Sequence, residues 1–252
     1  MSAKIIKVPY IDQTIKYPTG CESISAVMLL NYLGCDITPE NFINHFLPKS
    51  EFEFHDGILY GPDPADYFMG SPYNNEEGSY GCYPPAIIKA LSTIVEGRYK
   101  INDETGTPIS ELLTRYIDND MPVIFWATLN MEPTSIGKHW KLIPTFEKDN
   151  SPSSSFDEKC SEDEDCEKRK AEHATDKASV FEAVSRFSAV PNTPGLFTWM
   201  NREHCLLLVG YDDDKLYFND PWENHGCTAY DRTLVEKRHA EQFEGAVGLT
   251  QI

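Results

Sequence analysis

The chain has 252 residues, of which 40% are hydrophobic and 12% aromatic, enough to bury the core of one elaborated domain or two small lobes. Its formal net charge of -18 creates a negative field that repels phosphate backbones, so nucleic acid is not an expected partner. Because no stretch approaches the roughly 20 apolar residues that span a bilayer, we expect no membrane insertion.

The cysteines and the first residues bear on compartment and cofactors. Seven cysteines are scattered without a regular framework, so at least one thiol is expected to be free. Cys160 and Cys166 share an acidic loop, but no second His or Cys pair completes a usual zinc pattern, and we expect no metal or organic cofactor. Residues 1–7 lack the apolar core of a secretory signal. The sequence as written predicts a cytoplasmic protein, or a secreted one if an export signal was trimmed.

Helical signals dominate the first part of the chain. Residues 5–8 predict a short strand at a sheet edge, because Pro9 follows. Apolar residues at helical spacing from Cys21 onward predict a largely buried helix that ends near Gly34. Thr38 is a predicted N-cap, since proline at the first helical position follows it.

The next predicted elements alternate between irregular and helical segments. Residues 50–80 are rich in Gly, Pro, Asp, Asn and Tyr, which predicts a long irregular segment that shapes a cleft wall. Residues 84–94 form a predicted helix that opens on two prolines. Thr107 and Pro108 repeat the capping signature and predict a helix to about Ile117.

Strand signals follow. The segment PVIFWATL at 122–129 predicts a buried strand, and residues 205–211 and 215–220 predict an antiparallel hairpin with an exposed acidic tip. Helices first and an antiparallel sheet second indicate an α+β fold. The natural place for a site is a cleft between the helical part and the sheet.

An insertion interrupts the second half of the chain. Residues 147–167 hold nine acidic and two basic side chains, too little apolar surface for a core of their own, so this stretch is expected to be flexible. Residues 168–190 have apolar positions compatible with an amphipathic helix. We therefore expect a single domain over 1–252 with an insertion at about 147–196.

Four residues form a candidate catalytic set. Cys21 opens the first long helix, where unsatisfied N–H groups and the helix dipole favour a thiolate. His204 immediately precedes a strongly apolar strand, and Asp220 follows the predicted hairpin, whose antiparallel pairing can place it beside His204. Gln13 lies eight residues before Cys21, close enough to share an oxyanion hole with its backbone N–H. Any one of these residues alone is more often structural.

Two segments carry a resemblance to a known family. VPYIDQTIKYPTGCESISAVMLLNYLG and EHCLLLVGYDDDKLYFNDPW resemble the cysteine and histidine boxes of the papain-like peptidases that cleave double-glycine leaders from bacteriocins, particularly their stand-alone relatives. YGCYPPAIIKAL and PVIFWATLNMEP are similar to that family as well. The resemblance implies a papain-like cysteine proteinase fold with an N-terminal helical part and a C-terminal antiparallel sheet.

The same resemblance assigns roles. It implies that Cys21 is the nucleophile, His204 the general base, Asp220 the orienting acid and Gln13 the oxyanion-hole residue of a cysteine peptidase that hydrolyses peptide or isopeptide bonds. We expect Asp220 to accept a hydrogen bond from the Nδ1–H of His204. Glu22 stands where the transporter-linked members usually have glycine, and the sequence has no transmembrane or ATP-binding domain, which argues against leader-peptide cleavage.

Alternatives to hydrolysis stay open, because a Cys-His-Asp set does not choose its acceptor. They are an acyltransferase that uses the same thioester, and a catalytically silent peptide-binding module. The expected partner is a peptide or protein substrate, and the oligomeric state is not predicted. Among the other residues, His225 lies near Asp220 in sequence and could border the site, but it is interpreted as an exposed loop histidine. Cys82 and Cys205 are interpreted as buried spectators.

Overall fold

The structure is a computed structural model that describes residues 3–75, 78–143 and 195–252. It combines helices with antiparallel sheet, which confirms the predicted α+β class. The acidic stretch at 147–167, with Cys160 and Cys166, and the predicted helix over 168–190 lie outside the described residues. Within the described ranges, no helix is long and apolar enough to cross a membrane.

Within the described residues, the predicted helices are present with bounds close to those expected. Residues 21–30 of the first helix are all buried, and the chain leaves it through Gly34 at φ +76°, a conformation that glycine adopts readily. Thr38 caps the second helix, because its side chain accepts a hydrogen bond from the Asn41 backbone N–H at 3.2 Å. The helices are α1 (Cys21–Tyr32), α2 (Pro39–His45), α3 (Pro84–Val95), α4 (Ile109–Arg115) and α5 (Arg232–Ala240).

The start of α4 differs from the prediction. Thr107 does not cap the helix; its hydroxyl donates instead to Glu104 Oε2 at 2.8 Å. Glu104 is a buried carboxylate, and such a group recruits the donors around it. The helix proper ends at Arg115 and is followed by a 3₁₀ turn at Ile117–Asn119.

Seven of the strands in the described residues form one antiparallel sheet. The strands are β1 (Lys4–Ile5), β2 (Lys49–Ser50), β3 (Glu53–His55), β4 (Ile58–Gly61), β5 (Phe68–Met69), β6 (Tyr99–Asp103), β7 (Val123–Thr128), β8 (Ile136–Leu142), β9 (Leu196–Met200), β10 (Glu203–Tyr211), β11 (Lys215–Asp220), β12 (Gly226–Asp231) and β13 (Ala246–Gln251). The sheet order is β12-β11-β10-β7-β13-β6, with β1 paired to the end of β10.

The centre of this sheet is the core of the molecule. Every residue of β7 is buried, as are the seven residues from His204 to Gly210 within β10. Helix α1 packs against β10 and β7, and α5 packs against β7 and β11. A central strand with covered faces reads as a continuous apolar run, which is why PVIFWATL and CLLLVGY were recognisable from sequence.

A second sheet, in the order β3-β4-β8-β9, was not expected. The prediction of an irregular segment over residues 50–80 is wrong for β2, β3, β4 and β5, which lie within it or at its start. Their partners are distant: Tyr60 of β4 pairs in parallel with Lys141 of β8. Strands of four residues or fewer are too short to show a recognisable hydrophobic alternation in the sequence, and only the long-range pairing defines them.

Candidate active site

Cys21 is the first residue of α1 and is buried. The chain enters the helix through a tight turn in which the Gly20 N–H donates to the Tyr17 carbonyl at 2.8 Å. The helix is tied to the sheet because Ser25 Oγ donates to the Cys205 carbonyl at 3.2 Å. This contact holds the N-terminal half of α1 against the start of β10, the strand that carries His204.

His204 and Asp220 form a buried pair. Asp220 is the last residue of β11, and the antiparallel pairing of β10 with β11, with Leu207 opposite Asn219, brings it to His204. Asp220 Oδ1 lies 2.8 Å from His204 Nε2. The expected partnership is therefore present, but the expected Nδ1 contact is wrong. Because Nε2 faces the carboxylate, Nδ1 is the ring nitrogen left for proton transfer.

Three further groups hold Asp220. The Trp222 backbone N–H donates to Oδ1 at 3.0 Å, the Tyr230 hydroxyl donates to Oδ2 at 2.6 Å, and His225 Nδ1 lies 3.0 Å from Oδ2. Burial by itself raises the pKa of Asp220, but the attraction of His204 and the hydrogen bonds of His204, Tyr230 and His225 hold it well below its ordinary value. Asp220 is thus kept ionised beside His204.

His225 corrects the prediction of an exposed loop histidine. Its side chain is only 29% exposed and is bonded to Asp220. Tyr230, on β12, was not recognised from sequence at all. The proximity of His225 to Asp220 in the chain was the one available signal, but the contact depends on the turn between β11 and β12 folding back over the carboxylate.

Gln13 is buried beside the two segments that hold the candidate residues Cys21 and Asp220. Its backbone N–H donates to the Pro221 carbonyl at 2.9 Å, which ties it to the residue after Asp220. Its side-chain Nε2 donates to the Pro18 carbonyl at 3.2 Å, in the turn that leads to Cys21. An amide nitrogen carries two hydrogens, so one donor is left for an oxyanion. Its Oε1 is buried and, within the described residues, has no hydrogen-bond partner.

The environment of the Cys21 thiol differs from the expected one. Cys21 Sγ donates to Glu22 Oε2 at 3.2 Å. Among the hydrogen bonds of the described residues, none joins Cys21 Sγ to the ring of His204. Burial raises the pKa of the Cys21 thiol well above its ordinary value, the charges of Glu22 and Glu203 add to this, and the Cys205 backbone opposes it. The helix start does not make Cys21 a thiolate at rest.

A second carboxylate, Glu203, lies beside Glu22. Cys21, Glu22 and Glu203 are the one group of three potential metal-ligating side chains found among the described residues. An ion bound there would occupy the candidate nucleophile, so the group does not supply a separate centre for a catalytic metal. The sequence did not indicate that Glu22 and Glu203 lie close to the Cys21 thiol, although each is adjacent in the chain to a candidate catalytic residue.

The remaining cysteines near the site are buried. Cys82 and Cys205 are fully enclosed, as expected of spectators. The Cys82 backbone nevertheless contributes, because its N–H donates to Glu22 Oε1 at 2.5 Å and its carbonyl accepts from Trp126 Nε1 at 3.1 Å. These bonds anchor the loop before α3 against the start of α1.

Comparison with known proteins identifies the family. The model of the Peptidase_C39 like family matches residues 5–247, almost the whole chain. The chain belongs to this family. The C39-like chain is 25% identical over 228 residues to the uncharacterized Bacillus subtilis (strain 168) protein YvpB, covering 90% of this chain and 68% of that protein.

A solved structure shares the fold of this C39-like chain. It is the crystal structure of a candidate C39-like peptidase from Bacillus anthracis, similar with a TM-score of 0.70 and 20% sequence identity. The match covers 100% of this chain and 99% of that chain. The family match and this structural likeness confirm the resemblance noted from the cysteine and histidine boxes and the α+β papain-like fold that it implied.

Proposed function

We propose that this chain is a cysteine peptidase that hydrolyses peptide or isopeptide bonds through a thioester on Cys21. The observation that carries the proposal is the buried His204–Asp220 pair, with Nε2 2.8 Å from Oδ1, beside the helix that begins at Cys21. A histidine held by an ionised carboxylate next to a helix-terminal cysteine is the arrangement that thiol acyl chemistry needs. Membership of a C39-like peptidase family supports the same conclusion.

In the proposed mechanism, His204 Nδ1 takes the thiol proton of Cys21 while Asp220 accepts the Nε2–H and stabilises the imidazolium. The thiolate attacks the substrate carbonyl, and the resulting oxyanion accepts hydrogen bonds from Gln13 Nε2 and the Cys21 backbone N–H. The C–N bond then breaks as His204 returns its proton to the leaving amine. The acyl group stays on sulfur as a thioester.

Hydrolysis completes the proposed cycle. His204 takes a proton from water, the hydroxide attacks the thioester, and the C–S bond breaks to release the acid. His204 then returns the proton to the Cys21 sulfur and restores the thiol. If an amine or thiol replaced water in this step, the enzyme would be an acyltransferase. The overall negative charge of the chain favours neutral or cationic peptides over anionic ones as substrates.

The proposal is tested with an electrophilic thiol probe and a peptide library. Probe labelling is mapped by peptide mass spectrometry in the parent and in Cys21→Ala, with the exposed Cys227 as the internal control. The library is digested with and without a small amine. New free carboxyl termini that require Cys21 support hydrolysis, whereas amide products alone would make it an acyltransferase. Absence of both, with Cys21 unlabelled, would leave a peptide-binding module.

A further inference from the structure

Two carboxyl groups flank the candidate nucleophile. Glu22 is fully buried, with Oε2 3.2 Å from Cys21 Sγ and Oε1 2.5 Å from the Cys82 backbone nitrogen. Glu203 opens β10, directly before His204. One side-chain oxygen from each carboxyl group and the Cys21 sulfur all lie within 4.8 Å of one another. The thiol therefore shares its surroundings with two acids.

The backbone of Gly81 brings these two carboxyl groups together. A Cβ atom on Gly81 would lie 2.5 Å from Glu22 Oε1 and 3.0 Å from Glu203 Oε2, and 3.4 Å from the indole edge of Trp199. Both acids thus lie against the same glycine, under an aromatic side chain. Only a residue without a side chain leaves room for them there.

Two carboxyl groups this close, with Glu22 fully buried and Glu203 half-buried, do not both carry charge. Within the described ranges, no Lys or Arg forms an ion pair with either one, and Glu203 Oε1 has no hydrogen-bond partner. Burial raises the pKa of Glu22 to about 7, and burial together with the charge of Glu22 raises the pKa of Glu203 well above its ordinary value. Glu203 therefore keeps its proton, and Glu22 is the member that titrates near neutral pH.

The other titratable groups that face the pair come from three elements. Cys21 lies on α1, Cys82 and Tyr83 precede α3, and His204 and Cys205 lie on β10. His204 is the one group among them that can supply positive charge, and its attraction lowers the pKa of Glu22. Burial raises the pKa values of the remaining thiols and of Tyr83, so these groups are neutral around pH 7.

We propose that Glu22 is a positioning residue whose charge sets the pH range in which Cys21 reacts, while Glu203 retains the proton of the pair. This inference rests on the proposed peptidase function. On the acidic side of neutral, Cys21 can pass its proton to His204 among neutral neighbours. As pH rises through the titration of Glu22, a carboxylate appears 3.2 Å from the sulfur and opposes the thiolate.

The test is the rate at which iodoacetamide alkylates Cys21 between pH 5 and 9, resolved by peptide mass spectrometry and run with EDTA. The variants are Glu22→Gln, Glu22→Met and Glu203→Gln, and the alkylation of Cys227 in each sample corrects for the reagent. In the parent, we expect a break in the pH profile of alkylation: above about pH 7 the rate rises less steeply than the ionisation of one thiol gives. Glu203→Gln should keep this break, because Glu22 is intact.

Removing the charge of Glu22 should abolish the break. A fall of one unit in the thiol pKa gives about tenfold more thiolate at a fixed pH, but the thiolate is less nucleophilic, so the net gain is about threefold per unit. We expect at least this gain at pH 8 in Glu22→Gln and little change at pH 5. Glu22→Met has no amide donor, so the same result there assigns the effect to charge.

The inference is overturned if both Glu22 variants follow the parent profile, or if they change the rate by one factor at every pH, as a purely structural role would. Alkylation does not require turnover, so this outcome is separate from the fate of the peptidase proposal. That proposal fails if Cys21→Ala still cleaves peptides, whatever the alkylation profile of the Glu22 variants.

Discussion

The His204 ring turns Nε2, not Nδ1, towards Asp220, at 2.8 Å from Oδ1, in a place closed to solvent. Asp220 is itself held by Trp222, Tyr230 and His225, so the orientation of the ring is determined by groups on β10, β11, β12 and the turn between the last two. A ring fixed in this way leaves Nδ1, and not Nε2, as the nitrogen that the proposed mechanism uses to take the Cys21 proton.

Replacement of Asp220 separates orientation from charge. We expect Asp220→Ala to lower peptide turnover on the order of 10³-fold, because nothing then fixes the tautomer or stabilises the imidazolium. Asp220→Asn should lose less, since the Asn Oδ1 can still accept from Nε2–H. Turnover is measured on one library-derived peptide, with far-UV circular dichroism as the folding control. Equal turnover in parent and Asp220→Ala would remove Asp220 from the mechanism.

Removal of the Tyr230 hydroxyl tests the support of Asp220. We expect Tyr230→Phe to lower the free energy of unfolding by about 1.5–3 kcal/mol, because a buried carboxylate loses a hydrogen bond at 2.6 Å. Tyr217→Phe is the matched control: its hydroxyl donates to Asp212 at the hairpin tip, where solvent screens the contact and the loss should be clearly smaller. Urea unfolding at pH 7 measures both. Similar losses in the two variants would contradict the special role of Asp220.

The buried acid Glu22 predicts an unusual pH dependence of stability. Its pKa of about 7 in the folded protein lies above its ordinary value of 4.5, so folding favours the protonated form. The contribution of Glu22 to the free energy of unfolding is therefore complete below pH 4.5 and is lost as pH rises through 7. We expect Glu22→Gln to gain up to about 3 kcal/mol relative to the parent between pH 4.5 and 8. Urea unfolding across this range measures the difference.

Glu104 provides the matched control for Glu22, with the opposite sign. Burial works against ionisation of Glu104, but hydrogen bonds from Tyr116, Thr107 and Arg115 lower its pKa. The contribution of Glu104 to the free energy of unfolding is therefore present above pH 4.5, its ordinary pKa, and is lost as pH falls through its lower pKa in the folded protein. Glu104→Gln should be destabilised at pH 7 and approach the parent in acid. The same slope in both variants would contradict the charge states given to Glu22.

His239 predicts a loss of stability in mild acid. It stacks on Phe125 with ring centroids 3.9 Å apart, and its Nδ1 lies 2.7 Å from the Trp126 carbonyl oxygen. Burial lowers the pKa of His239 to about 4 from 6.5, so its contribution is present above pH 6.5 and is lost as pH falls through 4. Between pH 6.5 and 4, the free energy of unfolding of His239→Gln should therefore fall by up to about 3 kcal/mol less than that of the parent. An unchanged pH slope of unfolding would refute it.

Much of the fold was predictable because its signals are local. Buried strands such as β7 and helices with a cap such as Thr38 are written in a few consecutive residues. The second sheet was not predictable, since the pairing of Tyr60 with Lys141 joins short strands far apart in the chain. The same limit hid the short strands β3, β4 and β5 within residues 50–80.

The site was predictable at the level of residues but not of atoms. Cys21, His204, Asp220 and Gln13 could be proposed from their places at a helix start, a hairpin and a turn. The choice of Nε2 over Nδ1 depends on ring orientation, which chain spacing does not encode. The approach of Glu22 to Glu203 depends on α1 packing across β10, a contact between residues 181 positions apart (203 − 22).

The most direct test of the central claim, that Cys21 and His204 act as one unit, is the rate of Cys21 alkylation by iodoacetamide at pH 7 in His204→Ala. Peptide mass spectrometry reports Cys21 separately from Cys227, and His139→Ala, whose ring bonds Thr198 on the second sheet, is the control. We expect a much slower reaction and a changed pH profile in His204→Ala, because Cys21 loses the base that takes its proton, and the parent rate in His139→Ala. The parent rate and profile in His204→Ala would contradict it.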